Sequence, residues 1–67
     1  MVLSEEIYKL DRIAEIKRLN RNISRLEDLR GKLIRNGRWD KAGILLKFIE
    51  LRLDRIADLE HQLKIRF

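Results

Sequence analysis

The chain has no proline, and its three glycines, Gly31, Gly37 and Gly43, all fall in one short window. Proline and glycine are the residues that interrupt helices. On both sides of the window, Leu and Ile recur every third or fourth position among Arg, Lys, Glu and Asp, the period of an amphipathic helix. The break belongs in "IRNGRWDKAG". Asn36-Gly37 is a helix-ending signal, with Gly37 suited to the left-handed position just past the last turn. Asp40 is the expected N-cap of the next helix, with Trp39 stapled onto Ile44. Ser4 is the expected cap at the chain's start, Glu5 and Glu6 suit the positive helix end, and Lys64 and Arg66 suit the negative one.

The expectation is therefore an all-α fold: a single domain over residues 1–67, with a helix over about 4–36, a turn at 37–39 and a helix over about 40–66. The short connection makes the helices antiparallel neighbours. One alternative breaks the first helix near residues 20–24, because Ser24 and Glu27 fit a capping box, and gives three helices. The absence of Gly and Pro from that stretch favours one continuous helix.

Placing residues at 100° intervals gives the second helix two apolar stripes. Ala42, Leu45, Leu46, Ile49, Leu53, Ile56, Ala57, Leu63 and Phe67 make a broad one, read as the seam. Ile44, Phe48, Leu51 and Leu59 make a second on roughly the opposite side. In the first helix Ile16, Leu19, Ile23, Leu26, Leu29 and Leu33 face the seam, whereas Leu3, Ile7, Leu10 and Ala14 turn away from it. A two-helix hairpin buries one face of each helix, and an apolar face left over marks an interface. The expected interface residues are Ile7, Leu10, Ala14, Ile44, Phe48, Leu51 and Leu59. A homodimer of hairpins forming a four-helix bundle would bury them, as would a partner protein presenting a helix pair.

"LDRIAEI" at 10–16 returns as "LDRIADL" at 53–59. Counting from the turn puts the first copy farther out, so the copies are not expected to be mates across the hairpin. Their leucine, isoleucine and alanine read as packing residues, with Asp-Arg at the edge.

Size supports assembly. A 67-residue chain needs some reinforcement beyond its own core. With no cysteine and one histidine, His61, neither disulfides nor a structural zinc can supply it, so oligomerisation or docking remains. No cofactor or metal is expected. "MVLSEEIYKL" has acids where a secretory signal has bases, and no apolar run approaches the length of a membrane span. Together these lead to a cytoplasmic expectation with no membrane partner.

The net charge is +5, and the bases are unevenly placed. Residues 17–41 hold nine bases against three acids, a net +6. Arg18, Arg21, Arg25 and Lys32 share a face opposite the seam, a footprint fit for phosphate backbone. Nucleic acid is therefore the alternative partner, without a motif for reading bases.

"NGRWDKAGILL" resembles the middle of a tetratricopeptide repeat, where a Gly-x-aromatic-acid-x-Ala run crosses between paired helices. It covers part of the chain, and Arg30 stands where that family has a small glycine. The resemblance implies a tight helix-turn-helix. Trp39, at the tip between Arg38 and Lys41, could also stack on a base or anchor a protein contact.

Catalysis has little to work with. His61 has no nucleophile beside it, Tyr8 reads as a half-buried rim residue, and no carboxylate pair is placed for a pocket. Glu5–Lys9, Asp28–Lys32 and Glu60–Lys64 have i,i+4 pairing geometry. No catalytic residue and no small-molecule substrate is expected. The functional expectation is a small non-enzymatic interaction protein: a regulator, an inhibitor or an assembly factor.

Overall fold

The reversal at Gly37 organises everything else. Gly37 has φ of 75°, a left-handed conformation that costs a side-chain-bearing residue about 1 kcal/mol and glycine almost nothing. The Gly37 N–H donates to the Ile34 carbonyl at 3.0 Å, and the Arg38 N–H to the Leu33 carbonyl at 2.8 Å. That pair of bonds is a Schellman closure. The computed structural model describes residues 2–63, with side chains from Glu6 onward, as two helices, α1 (Val2–Arg35) and α2 (Trp39–Leu63). They pack as an antiparallel hairpin with extents of 54 × 16 × 15 Å. α1 runs unbroken through residues 20–24, so Ser24 lies inside a helix and caps nothing.

Both helix starts differ from expectation. α1 begins at Val2, ahead of Ser4, whose side chain lies outside those described. In α2 the first helical hydrogen bond runs from the Ala42 N–H to the Arg38 carbonyl at 3.1 Å. The cap position is therefore Arg38, and Asp40 sits inside the first turn, where its charge still suits the positive helix end. Trp39 becomes the first helical residue, and its indole is 66% exposed. With the cap at Arg38, it no longer stands in the staple's position ahead of the cap. Leu3, Lys64, Arg66, Phe67 and the pairs Glu5–Lys9 and Glu60–Lys64 involve side chains outside those described. The Asp28–Lys32 pair is not closed among the described residues.

The seam follows a seven-residue repeat. Ala42, Ile49, Ile56 and Leu63 are buried, and so is Leu59, three residues beyond Ile56. From α1 come the buried Ile16 and Ile23, with Leu19, Leu26 and Ile13 packed against the same cluster. Leu59, expected on the outward stripe, is the most deeply buried side chain, with 0% exposure. Helices packed along their length hold a seam at 3.5 residues per turn, about 20° per heptad away from a straight 3.6 helix. Over the 17 positions from Ala42 to Leu59 that drift reaches roughly 50°, enough to carry Leu59 into the core. The same drift moves Leu46 and Leu53, expected in the seam, onto its flank, where both are exposed. Ala57 is exposed as well.

Register comes from two side-chain contacts. The Tyr8 hydroxyl donates to Gln62 Oε1 at 3.1 Å, and Arg55 Nη2 lies 3.4 Å from Glu15 Oε2. The residue numbers sum to 70 in both pairs (8 with 62, 15 with 55). The repeated segments are therefore mates across the hairpin, contrary to expectation. The Schellman closure folds the chain back onto the last turns of α1, so α2 starts beside α1 and not beyond its end. Glu15 of the first copy pairs with Arg55 of the second, and Ile16 shares a core cluster with Ile56 and Leu59. Most matched positions of the two copies share their burial, Ile16 with Leu59 on the buried side. Ile56 is buried, whereas Leu10, Ala14, Leu53 and Ala57 are all exposed.

Three arginines interrupt the seam repeat: Arg12 and Arg30 in α1 and Arg52 in α2, each half-buried. At such a position an arginine's aliphatic stem can cover apolar neighbours while its charged end stays toward water. Arg12 stacks its guanidinium 4.5 Å from the centre of the Tyr8 ring. Arg52 donates to the Phe48 carbonyl at 3.1 Å. The Nε atoms of Arg12 and Arg30 are buried without a hydrogen-bond partner.

Candidate interaction surface

The register leaves the hairpin two flanks. Heptad spacing puts Tyr8, Glu15, Asn22 and Leu29 of α1 on one, facing Lys41, Phe48, Arg55 and Gln62 of α2. The contacts already described, Tyr8 with Gln62 and Glu15 with Arg55, lie along it. Toward the turn the flank becomes apolar. Leu29, Leu33, Ile44, Leu45 and Lys41 line a shallow groove of 310 Å³. Phe48 (43% exposed), Ile44 and Leu51 (64% exposed) extend the apolar surface along α2.

A basic row borders this groove on the α1 side. Arg18, Arg25 and Lys32 each follow a residue of the flank by three positions, the spacing of neighbours on a helix surface. The contact of Arg18 with Glu15, at 3.7 Å, shows that adjacency directly. Seven residues correspond to about 10.5 Å along the helix. Arg25 and Lys32 are exposed and make no ion pair among the described residues. Arg21 is also exposed but sits roughly 40–60° farther around α1, toward its back.

Away from the turn the flank changes character. Glu15 and Asp58 are both held by Arg55, at 3.4 and 3.2 Å, and Gln62 donates to Asp58 at 3.0 Å. Tyr8 raises the Arg12 guanidinium above its ordinary range against the opposing effect of desolvation. Tyr8 itself is exposed at its rim position.

The expected interface residues therefore separate into three groups. Ile44, Phe48 and Leu51 sit together on the flank near the turn. Ile7, Leu10 (65% exposed) and Ala14 are exposed too, but their heptad positions face away from α2 on the back of α1. The register sets Leu10 and Phe48 about 18 Å apart along the axis at 1.5 Å per residue. Leu59 belongs to neither group, being in the core. The groove residues Leu29, Leu33 and Leu45 were expected in the seam and Lys41 beside the tip tryptophan, none of them in the interface; Leu29 is instead 47% exposed, and Lys41 and Leu29 occupy the same seven-residue rows as Phe48 and Asn22.

The second flank holds a groove of 410 Å³ lined by Ile13, Ile16, Lys17, Asn20, Leu53, Ile56 and Glu60. Its lining mixes both signs of charge. Among the described residues no three of His, Cys, Asp and Glu come together to hold a metal ion, and no helix is long and apolar enough to cross a membrane. Comparison of the chain with family models, with curated proteins and with solved structures finds no match.

Proposed function

We propose that this is a non-enzymatic helical-hairpin interaction protein, a cytoplasmic regulator, inhibitor or assembly factor that works through a protein contact made by the flank near the turn. Self-association into a four-helix bundle and docking on a helical partner are the two forms this contact can take. The supporting observation is the apolar surface around Leu29, Ile44, Phe48 and Leu51, left open beside a narrow core. The accessible surface is 5605 Å² for a mass of 8.1 kDa. A compact globule of that mass exposes about 4,500 Å². The excess, roughly 1,100 Å², is on the scale of the ~800 Å² that each partner contributes to a stable interface.

Sedimentation equilibrium over a wide concentration range tests self-association, with Phe48→Asp as the comparison. A wild type that dimerises and a folded, monomeric variant support the bundle. A wild type that stays a folded monomer throughout removes it and leaves docking.

A second reading assigns Arg18, Arg21, Arg25 and Lys32 to phosphate backbone, favoured by the exposure of all four on one helix. Binding to random duplex and single strands across a salt series tests it. Absence of binding at low salt, or binding unchanged by Arg18→Ala, Arg21→Ala and Arg25→Ala together, rejects it.

A further inference from the structure

We infer that the flank near the turn receives an acidic amphipathic helix from a partner protein, an assignment that deepens the interaction reading and rests on it. Two features coincide there. One is an apolar strip of Leu29, Ile44, Phe48 and Leu51 around a groove. The other is the border of Arg25 and Lys32, exposed and without ion pairs among the described residues. A helix laid along the groove repeats every seven residues as this border does, about 10.5 Å. Apolar residues at i, i+3 or i+4 and i+7 would fill the groove. Carboxylates on one side of that helix would then meet Arg25 and Lys32 at matching intervals, with Arg52 and Lys41 adding positive potential from α2.

The charge pattern separates this occupant from its rivals. A second copy brings the same basic row to the contact. On this flank its Glu15 and Asp58 are already bound by Arg55, and the remaining carboxylate of the row, Asp11, lies at the end remote from the turn. Nucleic acid would use the bases but has no use for Ile44, Phe48 and Leu51, whose coverage needs an apolar ridge. An acidic amphipathic helix uses both halves of the surface.

The test is fluorescence anisotropy with a labelled helical peptide of about 20 residues, some 30 Å long, carrying leucines at heptad spacing and glutamates along one side. A twin with lysines in place of the glutamates is the control. The glutamate peptide should bind at least roughly tenfold more tightly than its twin, from two or three charge contacts. That preference should shrink in about 0.5 M salt. Phe48→Asp or Leu51→Asp, both at exposed positions, should abolish binding while far-UV circular dichroism stays unchanged. Arg25→Glu with Lys32→Glu should transfer the preference to the lysine twin.

Equal binding of the two peptides overturns the inference. So does binding of single or duplex strands through Arg25 and Lys32 that Phe48→Asp leaves intact. If neither peptide binds but the wild type forms a dimer that Phe48→Asp dissociates, the flank is a self-interface. The acidic-helix assignment then fails while the interaction reading stands. If neither peptide binds and no self-association occurs, both fail.

Discussion

Replacing Leu59 by alanine is the sharpest test of the seven-residue seam. Leu59 has no exposed surface, and truncation of a buried leucine costs about 2–5 kcal/mol, from lost transfer free energy and the cavity left behind. The hairpin is one helix thick on either side of its seam, so neighbours can close on the gap. That puts the expected loss near the lower end, about 2–3 kcal/mol. A chain of 67 residues has a total stability of only roughly 3–10 kcal/mol. At about 4–8 °C per kcal/mol, the melting temperature should fall by roughly 10–20 °C. Leu51→Ala is the matched control, because the same atoms are removed at a position 64% exposed. In the dissociated hairpin it should cost no more than about 0.5 kcal/mol. Urea unfolding followed by far-UV circular dichroism, at concentrations low enough to keep one species, measures both. A loss below about 1 kcal/mol for Leu59→Ala at unchanged urea slope, or equal losses for the two variants, would refute the seam assignment.

Other substitutions probe the turn and the polar seam. Gly37→Ala should destabilise by about 1 kcal/mol through backbone conformation alone, since nothing lies within 4 Å of the added methyl group; Gly37→Asn should cost less in the same melts. Gly43→Ala, in open space on α2, should stabilise by about 0.5–1 kcal/mol through helix propensity. Arg30→Leu removes a buried Nε that has no partner and should raise stability by about 1 kcal/mol, read as a higher urea midpoint. Glu15→Gln should cost less than about 1 kcal/mol, because its partner Arg55 is 45% exposed and solvent screens the pair; a double-mutant cycle with Arg55→Met isolates the coupling.

The two helices were legible because the strongest helix breakers are confined to one window, and the closure at Gly37 needs only local bonds. The faces were legible only near the middle of the seam. Ile16, Ile23, Ile49 and Ile56 fall inside under either winding, but Leu59 and Leu53 change places once the pair adopts a 3.5-residue period. The pairing of the repeats was hidden for a similar reason. It depends on where α2 starts beside α1, a tertiary quantity set by the Schellman closure and not by distance counted along the chain. Asp40 and Trp39 show the limits of capping rules: Asp40 has the chemistry of a cap, but the Arg38 carbonyl takes the first bond. Ile44, Phe48 and Leu51 were identified as outward from their spacing. That they share a groove with Leu29 and a border with Arg25 and Lys32 required the register.

The arginines in the seam have a consequence for alignment. The register that pairs Glu15 with Arg55 sets Arg30 near Ala42, where a small side chain leaves room for a long one. Sliding the helices by one heptad would set Arg30 beside the buried Ile49 instead. Polar residues at seam positions lower stability and in return select one alignment. By that argument Arg12, Arg30 and Arg52 favour the observed alignment over its neighbours, and with it the outlines of the grooves on the two flanks.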